Sequence, residues 1–532
     1  MLQPTAPRKA PAIARPAARP GGGTPPPAQS RRQEQELKLR LRAADVAPLR
    51  ARLDAYGRSR SEQVDSTYLD TPDHRLAGAR AALRLRSLGK GRRQRWVQTL
   101  KTEDEGAAFS LRGEWEAAAP GGRLQPELLA SAPLLQLLGA AAAADAAARL
   151  APVFRTRFAR TTWDLDVFGA QIEAVVDEGW IEAGDRSEAI LEAELELKSG
   201  PPAAIWLLAL DLAGGGGPRA DLCLLPYGDS KAARGYRLAA GRAPAPRTLA
   251  PAGLVDAALS AAAAARRLVA KDMTCLLANA IGLQSGADPE FVHQARVSLR
   301  RMRANLDVLG VELPAPLERG VRLWGERFGA VRDWDVFCGQ LLPRLVDELG
   351  AGDPAGWARL ALAAGRRAEA ARLRLRRQLD APAFAELALR LLQWASDLPP
   401  PASRPKGVQR PVGEVASRAV RKRLRRVARA GLELARRSPQ RQHRIRLQAK
   451  TVRYAIDALE AVLPPRLQGP GRRALARFQD AAGRAQDALV VVAAVQRLTR
   501  SAALRGAVAA WAAQRRRKAI AKAQGYAGRL TV

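Results

Sequence analysis

Two of the chain's three histidines head the same pattern of cations. His293 is followed by Arg296, Arg300 and Arg303, and His443, 150 residues further on, by Arg446, Lys450 and Arg453. Spacings of three, four and three place each set within one arc of an α-helix. Leu299, Met302, Leu306 and Leu309 lie behind the first set, and Ile445, Val452, Ile456 and Leu459 behind the second. Packing explains a repeated apolar face, but it gives no reason to repeat a histidine and three cations outside it. Phosphate binding does, because Arg offers paired donors, Lys a mobile point charge and His a donor strengthened by protonation. Each set precedes a Gly-x-x-x-Asp element, Gly329 to Asp333 and Gly483 to Asp487. Asp333 and Asp335 are expected to orient neighbouring arginines, since carboxylates repel a polyanion. Arg372, Arg374, Arg376, Arg377 and the basic run at 421–426 are expected to widen the positive surface.

A different chemistry is written into the first half. In Glu34, Glu36, Lys38 and Arg40 every second residue is charged, so a strand would carry all of that charge on one face. The same alternation returns in Arg84 and Arg86, and in Glu192, Glu194, Glu196 and Lys198. Three glutamates on one face repel one another unless cations intervene. Alternate carboxylates facing Arg and Lys across a closed barrel would hold a divalent metal on one side and phosphate oxygens on the other.

The elements that must position these residues change character along the chain. Residues 31–240 read as short alternating strands broken by Gly, Pro and Asp, with one Ala- and Leu-rich helix over 126–150. After residue 254 the text becomes long Ala/Leu/Arg runs of helical period. Pro-rich stretches at 241–253 and 397–413 read as linkers, the second dividing an internal repeat into units of about 254–396 and 414–525, each long enough for about four helices. The domains expected are a disordered basic tail (1–30), a strand-rich domain (31–240), a linker (241–253) and a helical domain (254–525).

Of the net charge of +35, residues 241–532 carry 53 basic and 23 acidic residues, whereas 31–240 carry 30 and 29. A segregated excess aims a field at an anionic partner. Nucleic acid is a rival for that partner, although the helices lack the aromatic interleaving of single-strand readers and no zinc or basic-zipper pattern occurs. No apolar run approaches the roughly 20 residues a membrane helix needs. Cys223, Cys275 and Cys338 have neither metal nor redox spacing, which points to a reducing, cytoplasmic setting.

Residues from about 252 to 525 resemble the CHAD domain, the conserved-histidine α-helical domain, through the two His-x-x-Arg helices and the RDWDV element. That resemblance implies two pseudo-symmetric helical bundles around a basic channel that binds inorganic polyphosphate, and association with polyphosphate granules. Residues 31–240 resemble the CYTH family of triphosphate tunnel metalloenzymes through EQELK (34–38), STYLDTPDHRL (66–76), ALRLRS (82–87), WVQTLK (96–101), RGEWE (112–116), VVDEG (175–179), LEAELELK (191–198) and SKAARGYRL (230–238). The implied fold is an eight-stranded antiparallel β-barrel open as a tunnel, making the whole an α+β multidomain chain.

The resemblance also implies Mg²⁺ or Mn²⁺, held by Glu34, Glu36, Glu192, Glu194 and Glu196. Phosphates would be bound by Lys38, Arg84, Arg86, Lys101, Arg157, Lys231 and Arg234, with Glu34, Glu36, Lys38 and Glu194 carrying catalysis and Asp177 an additional acid. His74, in a turn-like segment, is read as structural. The activity expected is metal-dependent hydrolysis of inorganic tripolyphosphate, with no Cys or Ser nucleophile, coupled to polyphosphate binding by the helical domain. The rival expectations are a non-catalytic polyphosphate scaffold, or a nucleotide cyclase or thiamine-triphosphatase using the same tunnel.

Overall fold

The computed structural model describes residues 32–89, 94–102, 109–125, 137–214, 220–248, 255–396 and 410–530. The expected tail, residues 249–253 of the first linker, most of the second Pro-rich stretch and the start of the helix expected from residue 126 lie outside the described residues.

Nine strands form one antiparallel sheet among the described residues: β1 (Arg32–Arg40), β2 (Ser59–Asp70), β3 (Ala81–Leu88), β4 (Arg95–Thr102), β5 (Phe109–Ala118), β6 (Ala151–Val167), β7 (Ala170–Ala183), β8 (Arg186–Ser199) and β9 (Leu225–Pro226). Their order is β5-β4-β3-β2-β6-β7-β8-β1-β9, and β1 pairs in addition with β5, from Arg32 opposite Glu114 to Leu37 opposite Phe109. Helices α1 (Ala43–Asp54), α2 (Arg75–Gly78), α3 (Ala140–Ala148), α4 (Ala203–Gly214) and α5 (Lys231–Ala239) are interspersed.

The alternation read from the sequence has a direct structural expression. Leu37 and Leu39 of β1 are fully buried in the apolar layer beneath Val46, Leu49 and Leu53 of α1 and Ile205, Leu208 and Leu212 of α4. Glu36 and Lys38, between them, take the other face of the strand.

The second half is helical: α6 (Ala261–Ser285), α7 (Pro289–Leu309), α8 (Ala315–Val336), α9 (Leu342–Leu349), α10 (Pro354–Leu379), α11 (Pro382–Ser396), α12 (Val412–Leu432), α13 (Pro439–Leu459), α14 (Gly469–Leu498) and α15 (Ala502–Ala527). The two histidine helices start by the same rule. Asp288 caps α7 by accepting from the backbone N–H of Glu290 at 2.8 Å, and Ser438 caps α13 by accepting from that of Arg441 at 3.4 Å. In both, proline follows the cap, where its missing N–H costs nothing. α7 ends on Gly310 at φ 66°, a left-handed conformation that glycine adopts without a Cβ penalty. No helix among the described residues is long and apolar enough to cross a membrane.

The two halves share an apolar core, which runs from β1, β7, β8 and α4 into α6, α7 and α11. Polar ties reinforce it. Arg42 Nη1 donates to the Asp380 carbonyl at 2.8 Å, Arg40 donates to the Gln284 side chain, and the Ala220 N–H donates to Glu386 at 3.3 Å. The described part of the first linker also packs down. The Arg247 N–H donates to Asn279 Oδ1 at 3.1 Å, and Asn279 Nδ2 returns a bond to the Arg247 carbonyl at 2.8 Å.

Candidate active site and polyanion face

The charged face of the sheet lines a cavity of about 260 Å³. Its walls carry five carboxylates (Glu36, Glu116, Glu173, Glu194, Glu196) and seven cations (Lys38, Arg84, Arg86, Lys101, Arg160, Lys198, Lys231). Strand register sets their rows. Glu36 lies opposite Glu196, and Glu196 opposite Glu173, so three carboxylates line up across β1, β8 and β7. Like charges directly opposite are destabilising, and Lys198 relieves them, at 2.7 Å from Glu196 and 3.3 Å from Glu173. The next row sets Lys38 against Glu194, which are ion-paired, with Lys38 also 3.6 Å from Glu36.

The deepest row is different. Asp177 is fully buried and receives a two-pronged bond from Arg160, Nε at 2.8 Å and Nη2 at 2.7 Å. Lys231 enters from α5, whose N-terminus is capped by Ser230, and its Nζ lies 2.7 Å from Asp177 and 3.1 Å from Glu194 while also bonding Glu192. Burial alone would raise the carboxyl pKa values. For Asp177, Arg160 and Lys231 outweigh it and hold the group below its usual range, and for Glu194 the three cations Lys231, Lys38 and Arg160 do so by a wide margin. Against burial, the carboxylates of Asp177, Glu192 and Glu194 hold Lys231 well above the ordinary ammonium range. The carboxylate oxygens of Asp177, Glu192 and Glu194 lie within 4.8 Å of one another, a hard-oxygen donor set suited to a divalent cation.

Not every expected residue reaches this cavity. Arg157 lies on the outer face of β6, its side chain 59% exposed and 3.6 Å from Asp65. Arg160, three residues along, takes the inward position that the sequence reading gave to Arg157. Arg234 is buried but faces away, bonded to Glu188 at 2.7 Å and Glu192 at 3.1 Å. Glu192 is turned toward Lys231 and Arg234 rather than into the cavity. Glu34 lies in β1 opposite Arg112, and its side chain is outside the described residues.

In the helical half the two cationic faces converge. α7 packs on α13, and Lys450 feels the charges of Arg446, Arg300, Arg296 and Arg453, with Asp487 of α14 as an opposing acid. Its amine is pushed down to about 7, first by burial and then by those four guanidinium groups. His293 is likewise lowered, by burial and by Arg332, against the opposing pull of Glu290, with Lys450 and Arg296 adding to the lowering. Arg296 donates to Asp333 at 3.0 Å, and Asp487 attracts Arg446 in the second copy. The Nε atoms of Arg296, Arg446 and Arg453 and the Nδ1 of His443 are buried without a hydrogen-bond partner. Arg303 is exposed at the end of the face. Arg372 and Arg376, expected to widen the surface, are committed elsewhere. Arg372 bonds Asp335 at 2.6 Å and the Ala287 carbonyl at 3.0 Å, while Arg376 bonds the carbonyls of Leu283 and Gly286, closing the C-terminal end of α6.

A sheet domain with a charge-lined cavity, followed by an Arg-rich helical domain, is the class this geometry defines. Residues 32–209 match the CYTH domain family and residues 267–496 the CHAD domain family, and the chain belongs to the CYTH–CHAD fusions. It is similar to an inorganic triphosphatase of Haemophilus influenzae, 34% identical over 137 residues, which are 26% of this chain and 36% of that protein. The chain thus spans about a third of that relative's length. Among solved structures it is similar to the CHAD domain of Ricinus communis (24% identity, 52% of this chain and 91% of that one, TM-score 0.40). It is also similar to the Hippeastrum protein HpAC1, a putative adenylyl cyclase with a dominant triphosphatase activity (21% identity, 39% and 96%, TM-score 0.29).

Proposed function

We propose that the sheet domain hydrolyses inorganic tripolyphosphate with the help of Mg²⁺ or Mn²⁺, and that the helical domain binds inorganic polyphosphate. The observation that carries the first half is the cavity itself, in which six cations on the strands and Lys231 of α5 face five carboxylates. The β1–β5 pairing supports a sheet that wraps into an eight-stranded tunnel. Arg84, Arg86, Lys101 and Arg160 bind phosphate oxygens and spread their charge. Glu36, Glu194 and Glu196 would hold the divalent ion, with Glu34 retained on sequence grounds, while Asp177 and Glu192, already engaged by Arg160, Lys231 and Arg234, support this set from behind. Bound there, the ion supplies Lewis-acid polarisation of the phosphoryl oxygens and acidifies water. Lys38, paired to Glu194, fixes that carboxylate and keeps it ionised.

The second half rests on the meeting of the cationic faces of α7 and α13, which brings Arg296 and Arg300 toward Arg446, Lys450 and Arg453, with His443 heading the same helix. His293, Arg300, Arg303 and Lys450 extend the same surface, and a granule is the setting in which such a surface would operate. The experiment is phosphate release from tripolyphosphate with Mg²⁺ or Mn²⁺, alongside equilibrium binding of long-chain polyphosphate in competition with RNA. Metal-dependent release abolished by Glu36→Gln, and binding that RNA at equal phosphate does not displace, is the expected result. No release would sink the enzymatic reading, and displacement by RNA the polyphosphate one.

A further inference from the structure

The two histidine helices differ at a position beside their shared cations. Arg301 on α7 lies 3.6 Å from the buried Asp272 on α6. The position 150 residues on is Thr451, at the offset that relates His443 to His293. Its short side chain borders a cavity of about 320 Å³ between α7, α12 and α13, whose other walls are Asp307, Lys422, Arg423, Arg426 and Gln448. Three cations thus face one carboxylate, and that carboxylate is already engaged. Arg423 bonds the Asp307 carboxylate at 3.0 and 3.2 Å and the Asp307 carbonyl at 2.8 Å, tying α12 to α7. Lys422 and Arg426 have no ion-pair or hydrogen-bond partner among the described residues. They stand four residues apart on one side of α12, where like charges repel and an anion bridging them relieves the repulsion. A guanidinium fork, an ammonium and the Gln448 amide together suit the several oxygens of a phosphate better than a carboxylate. Asp307 follows Arg300 by seven residues and Arg303 by four, so the cavity lies at the end of the cationic face of α7.

We infer that this cavity is a second phosphate-binding site, confined to the second copy of the repeat, that takes a terminal phosphate group. The phosphate is either the end of a polymer running along α7 or a short free phosphate such as pyrophosphate. The chain-end case rests on the polyphosphate reading of α7 and α13, and the free-phosphate case does not. In the first copy Arg301 stands where Thr451 stands in the second, so the space that Thr451 leaves open meets an arginine there.

The test acetylates the full chain with an N-hydroxysuccinimide ester at fixed ionic strength, without divalent metal, and maps the lysines by peptide mass spectrometry. Pyrophosphate or long-chain polyphosphate is present, and the exposed Lys518 and Lys522 of α15 serve as references. Pyrophosphate at about ten times its Kd is expected to slow Lys422 roughly tenfold and to leave the references within about twofold. Arg426→Gln, an exposed change, and Thr451→Arg, which restores the arginine of the first copy, should each abolish that protection. Protection by polyphosphate that is lost in Arg300→Gln identifies the chain end. Protection by pyrophosphate, with none from polyphosphate that is nonetheless bound, identifies a free short phosphate, and either result upholds the site. Lys422 left unprotected by both ligands, all three lysines slowed alike, or protection that survives Arg426→Gln overturns the inference. Polyphosphate binding measured on the same samples then decides the polyphosphate reading separately.

Discussion

Gly329 on α8 packs against the guanidinium of Arg296 on α7, so closely that a Cβ built there would lie 3.3 Å from the Arg296 Cζ. The second copy repeats the arrangement more loosely, a Cβ on Gly483 lying 3.8 Å from the Arg446 Nε. The Gly-x-x-x-Asp element is therefore a seat for an arginine, with glycine beneath the guanidinium and aspartate beside it.

Because 3.3 Å is tighter than most Cβ contacts and 3.8 Å is ordinary, the two glycines are not equivalent. Gly329→Ala is expected to shift Arg296 and weaken polyphosphate binding roughly three- to tenfold, about 1 kcal/mol, while Gly483→Ala stays within about twofold. Titration of both variants under one salt condition reads this out.

The exchange of Arg157 for Arg160 is open to a paired test. Arg157→Gln, on the outer face, is expected to leave tripolyphosphate turnover within about twofold. Arg160→Gln should lower kcat/KM by on the order of a hundredfold or more and also lower Tm, since it leaves the buried Asp177 with Lys231 as its remaining cation. Equal effects in the two variants would return Arg157 to the site.

Binding of a polyanion favours protonated Lys450, whose free amine is depressed to about 7. Affinity should therefore be highest below pH 7 and fall as pH rises through 7 toward 9, with proton uptake on binding. Calorimetry in buffers of differing ionisation enthalpy measures that uptake, and Lys450→Met should abolish most of it.

Asp272 is 2% exposed and 3.6 Å from Arg301, and burial pushes its carboxyl up to about 8 despite that cation. With the folded value above the unfolded one, the stability it contributes is complete below about pH 4 and is lost progressively up to pH 8. Asp272→Asn lacks this dependence. Its Tm relative to the natural chain should rise from pH 4 to 8 and then level off.

Much of this was legible in the residues. Alternation in β1 and β8 marked the charged face because a strand's period of two admits one partition, and the helix period of His293 and His443 did the same. Arg160 was missed although parity offered a signal: it shares a strand face with the buried Phe154 and Phe158, whereas Arg155 and Arg157 share the other with Asp65 as partner. Arg234 and Arg376 could not be placed from spacing, because which acid or carbonyl a long side chain meets is decided by elements distant in sequence. The meeting of α7 and α13 is likewise tertiary, and repetition alone does not say whether two faces converge or point apart.

The apolar core that crosses from the sheet into α6 and α11 has a consequence for how the protein comes apart. Arg40 and Arg42 continue the chain from Glu36 and Lys38 directly into bonds with Gln284 and Asp380, so the acid-bearing strand is anchored in its neighbour. The two halves resemble partners of an obligate heterodimer joined by a peptide. Severed, each would expose an oily surface to water, and the pair should melt in one cooperative transition rather than two.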